Sequence, residues 1–113
     1  MAAACDLTDK HCVPCEGGVE PMDRASAEAL LADLPGWALS DDGKLISRRF
    51  EFRGFFRTMA FINAMAWIAN QENHHPDFSA GYNYCKVSFT THAIGGLSEN
   101  DFICAAKVSA LLD

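Results

Sequence analysis

Residues 55–77 read FFRTMAFINAMAWIANQENHHPD, and this stretch decides the fold. Phe55, Met59, Ile62, Ala66 and Ala69 recur at three- and four-residue steps, which predicts one long helix over 55–72. Phe56, Phe61, Met65, Trp67 and Ile68 widen its apolar sector, so the helix is expected to be buried on most sides. The core is one partner for those sides and a second subunit is another. Pro76 ends the helix, because the residue before a proline disfavours the α region. Asn63 interrupts the longest apolar run, around 59–69, so no membrane-spanning helix is expected.

Upstream, Ser26 reads as the N-cap of a shorter helix carrying Leu30, Leu31 and Leu34, stopped by Pro35-Gly36. Trp37-Ala38-Leu39 and residues 44–52 read as two strands joined by the turn Asp41-Asp42-Gly43. In the second strand Ile46, Phe50 and Phe52 share one phase, and Ser47, Arg49 and Glu51 the other. Downstream, a strand starts at Gly81, with Cys85, Val87 and Phe89 on one side. Gly95-Gly96 breaks it. Ser98 then caps a last helix whose first turn holds Glu99 and Asp101. The order helix, hairpin, long helix, strand, helix predicts an α+β domain with helices on one face of an antiparallel sheet. Residues 1–21 read as an irregular arm and 22–113 as one domain, with order beginning near Met22.

The chain has 113 residues, half of them hydrophobic, with 15 acids against 9 bases and a net charge of −6. That balance opposes nucleic-acid binding through bulk charge, and the apolar half opposes disorder. Five cysteines and no secretory signal point to a reducing compartment, the cytoplasm. Walker, dinucleotide-binding and hydrolase-elbow motifs are missing from the sequence.

Chemistry-bearing residues cluster at two element ends: Asn73-His74-His75-Pro76-Asp77, and Thr91-His92-Ala93. Imidazoles exchange protons near neutrality, which suits acid–base work. Three histidines could also ligate zinc, although adjacent ones on a helix diverge by about 100°. Surface or capping histidines are the plain alternative. His11-Cys12-Val13-Pro14-Cys15 could supply half a zinc site or a redox pair, but no second C-x-x-C follows. Trp37, Trp67 and the phenylalanines read as core, Arg48 and Arg49 as solvated charges on a strand edge, and Asp101 as a helix-start acid.

The blocks Asn73–Asp77, Tyr82, Thr91-His92 and Gly96-Leu97-Ser98-Glu99-Asn100-Asp101, with Gly36-Trp37 ahead of them, resemble the pterin-4a-carbinolamine dehydratase family over residues 22–112. The arm, His11 to Gly18, resembles the start of its bacterial members. The resemblance implies a four-stranded antiparallel sheet backed by three helices, in dimers or tetramers. It also implies a hydro-lyase that removes water from 4a-hydroxytetrahydrobiopterin or a related pterin, without metal or organic cofactor, in recycling that serves an aromatic amino acid hydroxylase. By the same resemblance His74, His75 and His92 form the catalytic set. His74 and His92 act as acid and base, and His75 mainly binds and orients the pterin. Pro76, Thr91 and Ala93 line the site, and Trp37 and Asp101 lie near it. Many members carry Glu where this chain has Asn70, one turn before His74. An amide there can orient an imidazole but brings no charge, so Glu72, three residues before His75, is the candidate replacement. A non-catalytic interaction module on the same fold is the rival reading, since some animal members bind a dimeric homeodomain transcription factor.

Overall fold

A computed structural model describes residues 7–13 and 20–112. Helix α1 (Arg24–Leu31) leads through a turn to strand β1 (Ala38–Leu39), which pairs with β2 (Ile46–Glu51). The long helix α2 (Phe55–Glu72) follows, then β3 (Asp77–Ala80), β4 (Tyr84–Phe89), a short 3-10 turn (His92–Ile94) and α3 (Glu99–Ala110). The four strands form one antiparallel sheet in the order β1-β2-β4-β3. This is the α+β arrangement expected from the sequence.

The cap of α1 lies three residues earlier than the sequence reading. Asp23 takes the N–H of Ser26 on its side chain at 2.8 Å, so Ser26 sits inside the first turn. Gly36 is needed where it stands. Its φ is +90°, and a Cβ there would meet the Arg48 Nε at 2.8 Å.

Register places the alternating apolar residues on one face of the sheet. Ile46 opposes Phe89, Arg48 opposes Val87, and Phe50 opposes Cys85. All of these except Arg48 are buried. Because β4 docks beside it, β2 is an inner strand, and the expectation of edge charges fails for Arg48. Its guanidinium lies 4.4 Å from the centre of the Phe50 ring and donates to Ser109 Oγ at 3.0 Å. Arg49, on the other face, is exposed and stacks on Tyr84.

β3 was missed by the local reading. All four of its residues are exposed, so no alternation marks it. Gly81 belongs to the turn between β3 and β4, where its N–H reaches the carbonyl of Tyr84, rather than to a strand start.

Helix α2 has the predicted span but uses a narrower apolar sector than its sequence offers. Thr58, Phe61, Ile62, Met65 and Glu72 are buried, and Phe61 packs its ring 4.6 Å from that of Phe50. Phe56 is 90% exposed and Trp67 63% exposed, so Trp67 is not a core residue. Trp37 is: it lies against Phe50 and Phe89 and donates its indole N–H to Ser109 Oγ. The arm also differs from expectation. Residues 7–9 are helical and Leu7 is buried in the core, so order begins well before Met22.

Among the described residues no helix is long and apolar enough to cross a membrane.

Candidate functional site

The site begins at the end of α2. Asn73 adopts the left-handed conformation, φ 52°, and its N–H closes onto the carbonyl of Ala69. Asparagine tolerates that conformation, so Asn73 ends the helix one residue before His74. Pro76 disfavours the α region for His75, the residue before it, so the helix does not resume. His74 is thereby turned inward, 13% exposed, with its ring parallel to Phe89 at 6.1 Å.

Behind His74 stands Asp101, fully buried in the first turn of α3. His74 Nε2 lies 2.6 Å from Asp101 Oδ1. A carboxylate only accepts, so Nε2 carries the proton of this bond, and in the neutral ring the acceptor lone pair falls to Nδ1. The other carboxylate oxygen accepts from the Thr91 hydroxyl at 2.8 Å and from the Ser98 N–H at 3.0 Å. With its proton committed to Asp101, Thr91 in turn receives the Ser98 hydroxyl at 2.8 Å. The expected helix-start acid is therefore also the anchor of a histidine, and Thr91 fixes that anchor from behind.

His92 comes from the segment after β4. Thr91 and Gly96 pair as an isolated bridge, and Gly95 at φ +70° closes the short turn between them. That turn presents His92 outward, 72% exposed, with Nε2 3.7 Å from Asp77 Oδ2. Two elements distant in sequence thus line one cavity.

The cavity measures ≈ 460 Å³ and is lined by His74, His75, His92, Thr91 and Ala93 among others. Pro76 and Asn70 line a second, ≈ 380 Å³ cavity on the other side of His74 and His75, which border both. Trp37 lines neither. Glu72 borders the first cavity, but its carboxylate is committed elsewhere: it accepts the Cys12 N–H at 2.7 Å and His11 Nδ1–H at 2.9 Å, with Lys107 Nζ at 3.7 Å. Burial works to raise its pKa, but these donors outweigh it and hold the carboxyl below its ordinary value. Glu72 is thus an anchor for the arm rather than a stand-in for the charge that Asn70 lacks.

Sequence reasoning missed Cys12, Val13 and Asn100, which also line the first cavity. Only the C-x-x-C motif drew attention to Cys12. Its partner Cys15 lies outside the described residues, as do Pro14, Gly17 and Gly18. Among the described residues no group of three metal-ligating side chains converges.

Residues 20–111 match the family described as pterin 4 alpha carbinolamine dehydratase. Relatives bearing that family's name include one from Nitrosomonas eutropha, 59% identical over 99% of this chain and 98% of its own. One from Dechloromonas aromatica is 50% identical over 100% of this chain and 99% of its own. Among solved structures, a transcriptional coactivator/pterin dehydratase from Brucella melitensis has a TM-score of 0.79 at 29% identity, covering 83% of this chain and all of that one. A pterin dehydratase-like protein identified as a RuBisCO assembly factor in the alpha-carboxysome has a TM-score of 0.60 at 26% identity, covering 67% of this chain and 88% of its own. With the histidine-lined cavity in place and near-full-length relatives at this identity, the chain belongs to the pterin-4a-carbinolamine dehydratase family.

Proposed function

We propose that the protein dehydrates a 4a-hydroxytetrahydropterin, such as 4a-hydroxytetrahydrobiopterin, to the quinonoid dihydropterin. The observation that carries this reading is the fixed His74–Asp101 pair facing the same cavity as His92. In the reaction the C4a–O bond breaks, the N5–H bond breaks, and the freed pair forms C4a=N5. His74 Nδ1 takes the N5 proton, and the buried Asp101 carboxylate stabilises the imidazolium that forms. His92 donates a proton to the departing hydroxyl, which leaves as water. Its exposure lets solvent restore that proton. His75, at the border of both cavities, holds the pterin. No step calls for a metal or an organic cofactor.

The physiological setting belongs to the same proposal: recycling of a pterin oxidised by an aromatic amino acid hydroxylase, in the cytoplasm. The free thiols of Cys12, Cys85 and Cys104 fit a reducing compartment. Self-association into a dimer or tetramer is also part of it. Phe55, Phe56, Trp67, Phe78 and Tyr82 are large apolar residues left exposed by the single chain.

A spectrophotometric dehydration assay against the spontaneous rate tests the reaction; no acceleration by folded wild type overturns it. The second reading is a partner-binding module, favoured by the coactivator and assembly-factor names of the two structural relatives. An inactive purified protein that holds a stable partner would support it.

A further inference from the structure

One wall of the histidine cavity has no role in the proton transfers. It is the pair Cys12-Val13, brought from the start of the chain to the ends of α2 and α3. Two buried polar side chains hold it by its backbone. Glu72 Oε1 accepts the Cys12 N–H at 2.7 Å. Asn100 Oδ1 accepts the Val13 N–H at 3.1 Å, and Asn100 Nδ2 donates to the Val13 carbonyl at 2.6 Å. One amide thus engages both peptide groups of a single residue, as a neighbouring strand would.

These bonds occupy backbone, so side chains are what the wall can offer a ligand. Val13 stays 65% exposed although its own peptide groups are clamped. A segment tied down only to complete the core would bury its apolar side chain, as Leu7 does. The Cys12 thiol lies beside the Asn100 carbonyl at 3.6 Å and Cys104 Sγ at 3.5 Å. The cavity therefore carries imidazoles in one part of its lining and, in another, an isopropyl group and a thiol, with the committed Glu72 carboxylate beside them.

We propose that Cys12 and Val13 form a specificity-determining wall of the substrate cavity, clamped by Glu72 and Asn100, with Val13 packing on the apolar part of a bound pterin. The identity of the ligand rests on the dehydratase reading; the clamp does not. The wall selects for a flat, uncharged heterocycle, because a charged group brought against Val13 would lose water without gaining a partner.

Cys12 is a natural reporter of this wall. Its alkylation by iodoacetamide can be followed by peptide mass mapping in the full-length protein, with and without 7,8-dihydrobiopterin, whose binding is measured by calorimetry. Saturating pterin is expected to slow Cys12 alkylation roughly fivefold or more by covering it. Val13→Gly, at an exposed position, is expected to raise KM roughly fivefold with a smaller change in kcat, the scale of withdrawing an isopropyl group from apolar contact. Asn100→Ala should speed Cys12 alkylation in the ligand-free protein. Bound pterin that leaves the alkylation rate unchanged, together with an unaltered KM in Val13→Gly, overturns the proposal. No pterin binding and no accelerated dehydration overturn the dehydratase reading and the ligand assignment with it. Calorimetry tells that failure from the first.

Discussion

The two histidines His74 and His92, which line one cavity, are held differently. His74 is inward, its ring parallel to Phe89 and its Nε2 held by a buried carboxylate that is itself fixed by Thr91 and Ser98. His92 stands on a short turn, mostly in solvent, with the exposed Asp77 at 3.7 Å. The first arrangement fixes one tautomer and one orientation before a ligand arrives. The second leaves an imidazole in contact with water. On the proposed dehydratase reading, the contrast suits unequal roles: a pre-positioned base at His74, and at His92 an acid that solvent can recharge or replace.

The contrast can be broken by substitution. His74→Ala should cost most, roughly 10³-fold in kcat, within the range of a lost general base. Asp101→Asn should follow. Removing the charge and offering an amide N–H to Nε2 lowers kcat about 10- to 100-fold, the rate equivalent of about 1.5–3 kcal/mol for a charged hydrogen bond. The loss should appear in kcat more than in KM. His92→Ala should cost only about tenfold at neutral pH, because water and buffer acids reach its place. Asp77→Asn should change kcat by less than about twofold, since an exposed pair at this distance is weak.

Glu72 sharpens the comparison from the side of stability. Its folded pKa lies below the ordinary value, so it contributes stability that is present above the unfolded pKa and lost as pH falls through the folded one. Urea midpoints of wild type should therefore fall between about pH 5 and pH 3 more steeply than those of Glu72→Gln. The variant should be less stable at pH 7 by roughly 1–2 kcal/mol, because the amide oxygen keeps the Cys12 N–H but not the charge facing Lys107. Equal slopes would mean that the arm is not anchored through Glu72.

Much of this was legible from local pattern. Apolar spacing gave the full span of α2, and period two gave the inner faces of β2 and β4. Residue type at element ends marked His74, His75 and His92. What the sequence withheld depends on long-range pairing. β3 has four exposed residues and exists because β4 is beside it. Arg48 reads as an edge charge until β4 makes β2 an inner strand. Asp101 is a helix-start acid by every local rule, and its histidine lies 27 positions earlier. Glu72, Asn100 and the arm meet across still greater sequence distance, which no periodicity records.

The unequal roles of the two imidazoles are tested most directly by stopped-flow dehydration of a 4a-hydroxytetrahydropterin by wild type, His74→Ala and His92→Ala, each with and without added imidazole. The account predicts rescue of His92→Ala, whose site is open, and none of His74→Ala, whose site is enclosed. A folded His74→Ala that keeps the wild-type rate would contradict it, as would one restored by imidazole as readily as His92→Ala.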